Sequence, residues 1–163
     1  IKEDIRESRR MNILTSVLND RLRKKLREEL GSTYSPSAGF NASRVFNTAY
    51  LTTSSIATSS ETALLQMHMQ AIAHDIANEG ATQDELDRAL KPILGSLKMH
   101  WRENSHWLGT ILSQSQAKPY TLEWARERDE DYASITLEEV NALAKRYLSG
   151  DAARITLSPQ IIE

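Results

Sequence analysis

The run Leu26-Arg27-Glu28-Glu29-Leu30-Gly31-Ser32-Thr33-Tyr34 sets a guanidinium and a phenol on either side of a glycine. Arginine is charged at any pH and offers several N–H donors, so Arg27 can grip backbone carbonyl oxygens or a carboxylate. A tyrosine hydroxyl aimed at a carbonyl oxygen that gains negative charge during amide hydrolysis stabilises it, typically by roughly 3 to 4 kcal/mol. Gly31 would let the chain turn between them. Residue types alone favour a plainer reading, in which Arg27 is a solvated helix residue and Tyr34 an edge aromatic.

Other combinations fall short of chemistry. His100-Trp101-Arg102-Glu103-Asn104 is one residue from an inverted His-x-x-Glu-His zinc motif, but its fifth residue is Asn, a poor substitute for the second imidazole. His106 lies about 120° from His100 around a continuous helix and does not restore the pair. His68 and His74 likewise face different sides of one helix. The basic run Arg21 to Arg27 is interrupted by Leu22 and Leu26 and followed by Glu28-Glu29, the pattern of a helix surface with compensating charge rather than a nucleic-acid patch. Trp101, Trp107 and Trp124 read as core or domain-contact aromatics. There is no glycine-rich phosphate loop and no Gly-x-Ser-x-Gly elbow.

The elements that must position these residues follow from periodicity. Ile5, Ile13, Leu14, Val17, Leu18, Leu22, Leu26 and Leu30 recur at three and four, predicting a helix over 4–30 capped by Gly31. From Thr33 to Ala57 the period becomes two, with Tyr34, Ala38, Phe40 and Ala42, then Phe46, Tyr50 and Ile56, which predicts a β-hairpin; Pro36 puts its first strand at an edge. The Ser35 to Phe40 segment is expected to help enclose substrate. Thr58-x-x-Glu61, Thr82-x-x-Glu85 and Thr136-x-x-Glu139 are capping boxes. The first opens a helix with Leu64, Leu65, Met67, Ile72 and Ile76 inward. The second opens one through Leu97, bent or broken at Pro92, and the third one to Leu148. Helices are also expected over 105–117 and 121–132, and Ala153-Arg-Ile-Thr-Leu157 as a final strand. The fold class is α+β, with several helices packed on one face of a mainly antiparallel sheet.

A chain of 163 residues with 40% hydrophobic and 26% charged residues is one ordinary globular domain. Its apolar runs are far shorter than the roughly 20 residues of a membrane span. A net charge of −2 and a pI near 6.1 give no electrostatic reason to expect nucleic acid. With no cysteine there is no disulfide, thiolate zinc site or cysteine nucleophile, which fits a periplasmic or a cytosolic home, the periplasm slightly favoured. The opening Ile1-Lys-Glu-Asp-Ile5 lacks an initiator Met and a signal segment, and reads as an excised piece with strands missing ahead of it.

Asn19-Asp20-Arg21-Leu22 through Leu26-Arg27-Glu28-Glu29-Leu30-Gly31-x-x-Tyr34 resembles a stretch in the C-terminal half of insulinase (pitrilysin-like) zinc metallopeptidases. Gly80-Ala-Thr-x-x-Glu85-Leu86, Arg102-x-Asn104-x-x-Trp107 and Ile135-Thr-x-Glu-Glu-Val140 with Tyr147-Leu148 add to the likeness, which extends over nearly the whole chain. The resemblance implies that residues 1–163 are a single, partial C-terminal domain, metallopeptidase-half-like and short of its N-terminal strands. It implies a partner, the catalytic N-terminal half of the same or another chain, which holds zinc through an inverted His-x-x-Glu-His motif, while this chain binds no cofactor. Arg27 and Tyr34 would then bind the peptide substrate, with Tyr34 also stabilising the oxyanion in trans. The chain alone would be inert. A second reading is a structural or assembly subunit of the same fold without a proteolytic role; a third, an unrelated helical interaction module, leaves the Leu26-to-Tyr34 run unexplained.

Overall fold

The computed structural model describes residues 4–31, 35–43, 46 and 48–158. The Asp4 carboxylate accepts from the backbone N–H groups of Arg6 and Glu7, both at 3.0 Å, and so opens α1 (Ile5–Leu22). The expected stripe of Ile13, Leu14, Val17, Leu18 and Leu22 is buried to 1% exposure or less. Together with Arg9, Arg10 and Thr15, also buried, it makes α1 the central post of the fold rather than a surface helix. The helix then widens into a π-helical stretch, Arg23–Glu29, where the Leu30 N–H donates to the Lys25 carbonyl five residues back at 3.1 Å. Leu26 stays fully buried while Leu30 is exposed. Gly31, at φ 62°, is the left-handed residue that ends the run.

The hairpin is β1 (Ser37–Ala42) with β2 (Ala49–Ser54), antiparallel, Phe40 opposite Leu51. Pro36 stands just before β1, where its missing N–H costs no ladder bond. Ala38, Phe40 and Leu51 pack against the core, and β1 is tied to α1 by the Ala38 N–H donating to Asn19 Oδ1 at 3.1 Å. Phe46, Tyr50 and Ile56, which share the alternation, are exposed.

Around this post stand α2 (Thr62–Glu79), α3 (Gln83–His100) and α8 (Leu137–Leu148). Leu65, Ile72 and Ile76 of α2 are buried, but Leu64 and Met67 are 47% and 57% exposed. The inward stripe runs through 65, 69, 72, 73 and 76, in steps of three and four that leave 64 and 67 to one side. Thr58-x-x-Glu61 closes a turn rather than a capping box: the Glu61 N–H donates to the Thr58 carbonyl at 3.1 Å, and α2 starts at the next residue with no side-chain cap. Pro92 sits inside α3 without interrupting it.

The stretch expected as a helix over 105–117 is irregular: α4 (Asn104–His106), a π-helical turn at Trp107–Leu112, then α5 (Ser113–Ser115). It is followed by α6 (Tyr120–Arg126) and α7 (Arg128–Ala133). Residues 151–158 belong to no helix or strand, so the final strand expected over 153–157 is not formed among the described residues, where it has no neighbour to make a ladder. The architecture is α+β, and among the described residues the sheet is the hairpin. Among the described residues no helix is long and apolar enough to cross a membrane.

Candidate functional site

The helix that carries Arg27 is held rigidly. Arg21 donates from Nε and Nη2 to the two carboxylate oxygens of Glu85 at 2.7 and 2.9 Å, and from Nη2 to the Gly80 carbonyl at 2.8 Å. Three turns earlier on α1, Arg10 donates from Nε to Glu139 at 2.8 Å. Glu85 and Glu139 are also the third residues of the Thr82 and Thr136 capping boxes, both fully formed. One carboxylate thus caps a helix and locks it to α1. Between the helices, Asn141 Oδ1 accepts from the Ala81 N–H at 2.7 Å, and a Cβ at Gly80, φ 83°, would meet Asn141 Nδ2 at 2.8 Å. The basic run is therefore only partly a solvated face: Arg23 and Lys25 pair with Asp20 and Glu29, each at 2.8 Å, whereas Arg21 is turned inward as a clamp.

This clamp gives the fold an acid limit. The Arg21 guanidinium, followed by Thr82, outweighs burial and lowers the Glu85 carboxyl from its ordinary 4.5 to about 2. A carboxyl depressed on folding contributes stability that is complete above its unfolded value and disappears as pH falls through the folded one. With screening at this partly exposed site, wild type should exceed Glu85→Gln by on the order of 2 kcal/mol in urea unfolding at pH 6. The margin should shrink between pH 4.5 and 2; one that stays constant across that range would contradict the clamp.

Arg27 lies on the π-helical stretch, next to buried Leu26, with its own side chain exposed. Its two acidic neighbours are engaged by other cations, Glu28 by Arg23 at 3.8 Å and Glu29 by Lys25 at 2.8 Å. Tyr34 lies outside the described residues, and Gly31 and Ser35 bracket the three residues concerned. What is in place is a charged donor beyond an anchored helix, followed by a left-handed glycine and then a strand whose start is pinned to Asn19.

The histidines meet in a way that helical geometry does not predict. Because α3 ends at His100 and the chain turns through 101–103, the His100 and His106 rings stack with centroids 5.5 Å apart, where a continuous helix would part them. His106 Nε2 lies 2.9 Å from Arg128 Nη1. Burial first, then the charges of Arg128 and His100, pushes the His106 imidazole below its ordinary value, which favours the neutral ring, the form able to accept a hydrogen bond from the guanidinium. Arg128 also lies over the Trp101 ring at 5.4 Å, Trp101 and Trp107 pack at 4.9 Å, and Trp101 Nε1 donates to Asp129 at 2.8 Å. A cation against the imidazole does not suit a metal site, and among the described residues no group of three or more His, Cys, Asp or Glu could hold a metal ion.

An open groove of about 1100 Å³ runs between the hairpin, α2 and the residues after α8. Phe40 reaches it from the Ser35–Phe40 segment. Arg27 is not part of its described lining.

Residues 3–93 match the family model described as the peptidase M16 inactive domain. The chloroplastic stromal processing peptidase of Pisum sativum is 25% identical over 131 residues, which is 79% of this chain and 10% of that protein. Among solved structures, the periplasmic protease PqqL from Escherichia coli superposes with a TM-score of 0.78 at 18% identity, over 91% of this chain and 16% of that one. A conserved protein from Enterococcus faecalis V583 superposes with a TM-score of 0.73 at 14% identity, over 86% and 33%. These two likenesses establish a shared fold. The chain spans about a tenth of the length of its curated relative.

Proposed function

The chain belongs to the family of peptidase M16 inactive domains, and from that premise we propose that it is the substrate-gripping, non-catalytic part of a zinc metalloendopeptidase whose metal sits on a separate N-terminal half. A peptide enclosed between the two parts is held by Arg27 through its carbonyl oxygens, and Tyr34 donates a hydrogen bond to the oxygen that gains charge as the amide is attacked. No zinc ligation is assigned to this chain. The observation that carries the reading is the match over residues 3–93, because it spans α1, the Arg27 segment and the hairpin as one unit. The clamps on α1 support it, since a donor must be fixed before it can be worth several kcal/mol to a transition state. The periplasm is the proposed compartment, in keeping with the periplasmic origin of one structural neighbour.

Arg27 tests the binding role. In the assembled peptidase, Arg27→Ala should raise KM for a peptide about 30-fold, the value of a hydrogen bond from a charged donor, with kcat less affected. Arg27→Lys, which keeps the charge and loses the fork, should recover only part of this. An unchanged KM in Arg27→Ala would remove Arg27 from the site. The reading of an assembly subunit without proteolytic role predicts that unchanged value.

A further inference from the structure

The segment 101–110 joins the end of α3 to buried Ile111 with little to hold it down. Residues 102–105 and 108–110 are exposed, and Trp101, His106 and Trp107 are half-buried. Its backbone is a turn, the three-residue α4 and the start of a π-helical turn. A stretch with few buried apolar contacts opens at low cost, so the side chains that pin it decide whether it stays closed. The pins come from α7. Arg128 Nη1 lies 2.9 Å from His106 Nε2, the Arg128 guanidinium covers the Trp101 ring, and Trp101 Nε1 donates to Asp129.

The first of these pins is sensitive to acid. Arg128 Nε and Nη2 are buried with no hydrogen-bond partner among the described residues, as is Asp129 Oδ1, 3.5 Å from that Nε. Arginine only donates, so the bond at Nη1 exists only while His106 keeps a bare nitrogen toward it. A proton on His106 removes that acceptor and sets a second cation against the guanidinium. The groups around the ring are His100 of α3, stacked at 5.5 Å, Glu103 in the turn, and Arg128 of α7 with its neighbour Asp129. Arg128 and His100 oppose the proton, and Glu103 favours it. The π-helical turn and α5, next along the chain, carry no charged residue.

We propose that His106 and Arg128 form an acid-released latch: with His106 neutral the segment 101–110 is closed on α7, and with His106 protonated it swings out. The opening uncovers Trp101 and Trp107 beside Met99 and Leu108, which are already exposed. The closed form disfavours the proton, so its stability is complete above the ordinary imidazole value of 6.5 and is lost as pH falls through the lower value of the closed form. That window lies above the 4.5 to 2 range of the Glu85 clamp, so the latch opens while the helices around α1 stay locked. It uses neither Arg27 nor Tyr34, and its test stands apart from theirs.

Hydrogen exchange of the full-length protein, read by mass spectrometry at pH 7.5 and 5.5 and corrected for the intrinsic pH dependence of exchange, decides it. Protection of peptides within 101–110 should fall several-fold between the two, at most about tenfold, the ceiling for one imidazole that regains its ordinary value on opening. Peptides from α1 should keep their protection. His106→Gln, which offers a carbonyl oxygen as acceptor and takes up no proton, should abolish the fall. A change of less than about twofold in wild type, or an equal fall in His106→Gln, would overturn the latch. If that variant misfolds, the labelled His106 ring of the wild-type protein, followed by NMR, gives the answer. It should titrate below 6.5 and in step with the loss of protection, and titration at or above 6.5 would contradict the proposal.

Discussion

Tyr34→Phe should lower kcat/KM of the assembled peptidase about 100- to 1000-fold while its zinc content and its KM stay close to wild type. The phenol hydroxyl is assigned an interaction that strengthens only as the carbonyl oxygen becomes charged, and losing such an interaction acts on kcat rather than on ground-state binding. The size follows from what one oxyanion donor contributes, roughly 3 to 4 kcal/mol. Phenylalanine keeps the ring and removes only the hydroxyl, so a large loss could not be blamed on a cavity. A change of less than threefold would take Tyr34 out of the chemistry.

Asp131→Ala should be the most damaging single change to the fold. The Asp131 carboxylate, 4% exposed, accepts from Arg6 Nε at 3.0 Å, Arg9 Nη1 at 2.7 Å and Arg10 Nη1 at 3.0 Å. Burial by itself would raise this carboxyl, but the hydrogen bonds from Arg9, Arg10 and Arg6 outweigh it and hold it below its ordinary range. Arg9 and Arg10 are themselves buried, so removing the anion takes the carboxylate partner from Arg9 and leaves Arg10 with Glu139. Breaking a buried pair from one side costs about 3 to 5 kcal/mol, which at this chain length is a Tm lower by about 10 °C or more. Arg6→Ala, which removes a 65% exposed partner, should cost under about 1 kcal/mol. Similar losses in the two variants, read by thermal unfolding, would show that the cluster is not organised around Asp131.

The same arginines show where sequence reasoning stops. The stripe from Ile13 to Leu26, the hairpin and the Thr82 and Thr136 boxes were legible because periodicity and capping are local signals. Arg10 and Arg21 look like any charged helix residue, and only the packing of α8 and α3 against α1 makes them clamps. The widening at Arg23–Glu29 leaves no mark in a pattern that assumes 3.6 residues per turn. The His100–His106 stack depended on where α3 ends, and helix ends are the least certain part of such a reading. Residues 153–157 carried a strand's alternation, but pairing belongs to two segments, and among the described residues no strand pairs with 153–157. For the site itself, Arg27 and Tyr34 came from the family resemblance; their types and spacing alone pointed to a plain helix residue and an edge aromatic.

The central claim, that this domain completes a peptidase without cutting peptides itself, is tested most directly by peptide turnover of the separately produced zinc-bearing half, measured alone and with one equivalent of the 163-residue chain. Turnover should appear only in the mixture, with none from this chain by itself. Full turnover by the zinc-bearing half alone, or any metal-dependent hydrolysis by this chain alone, would contradict it.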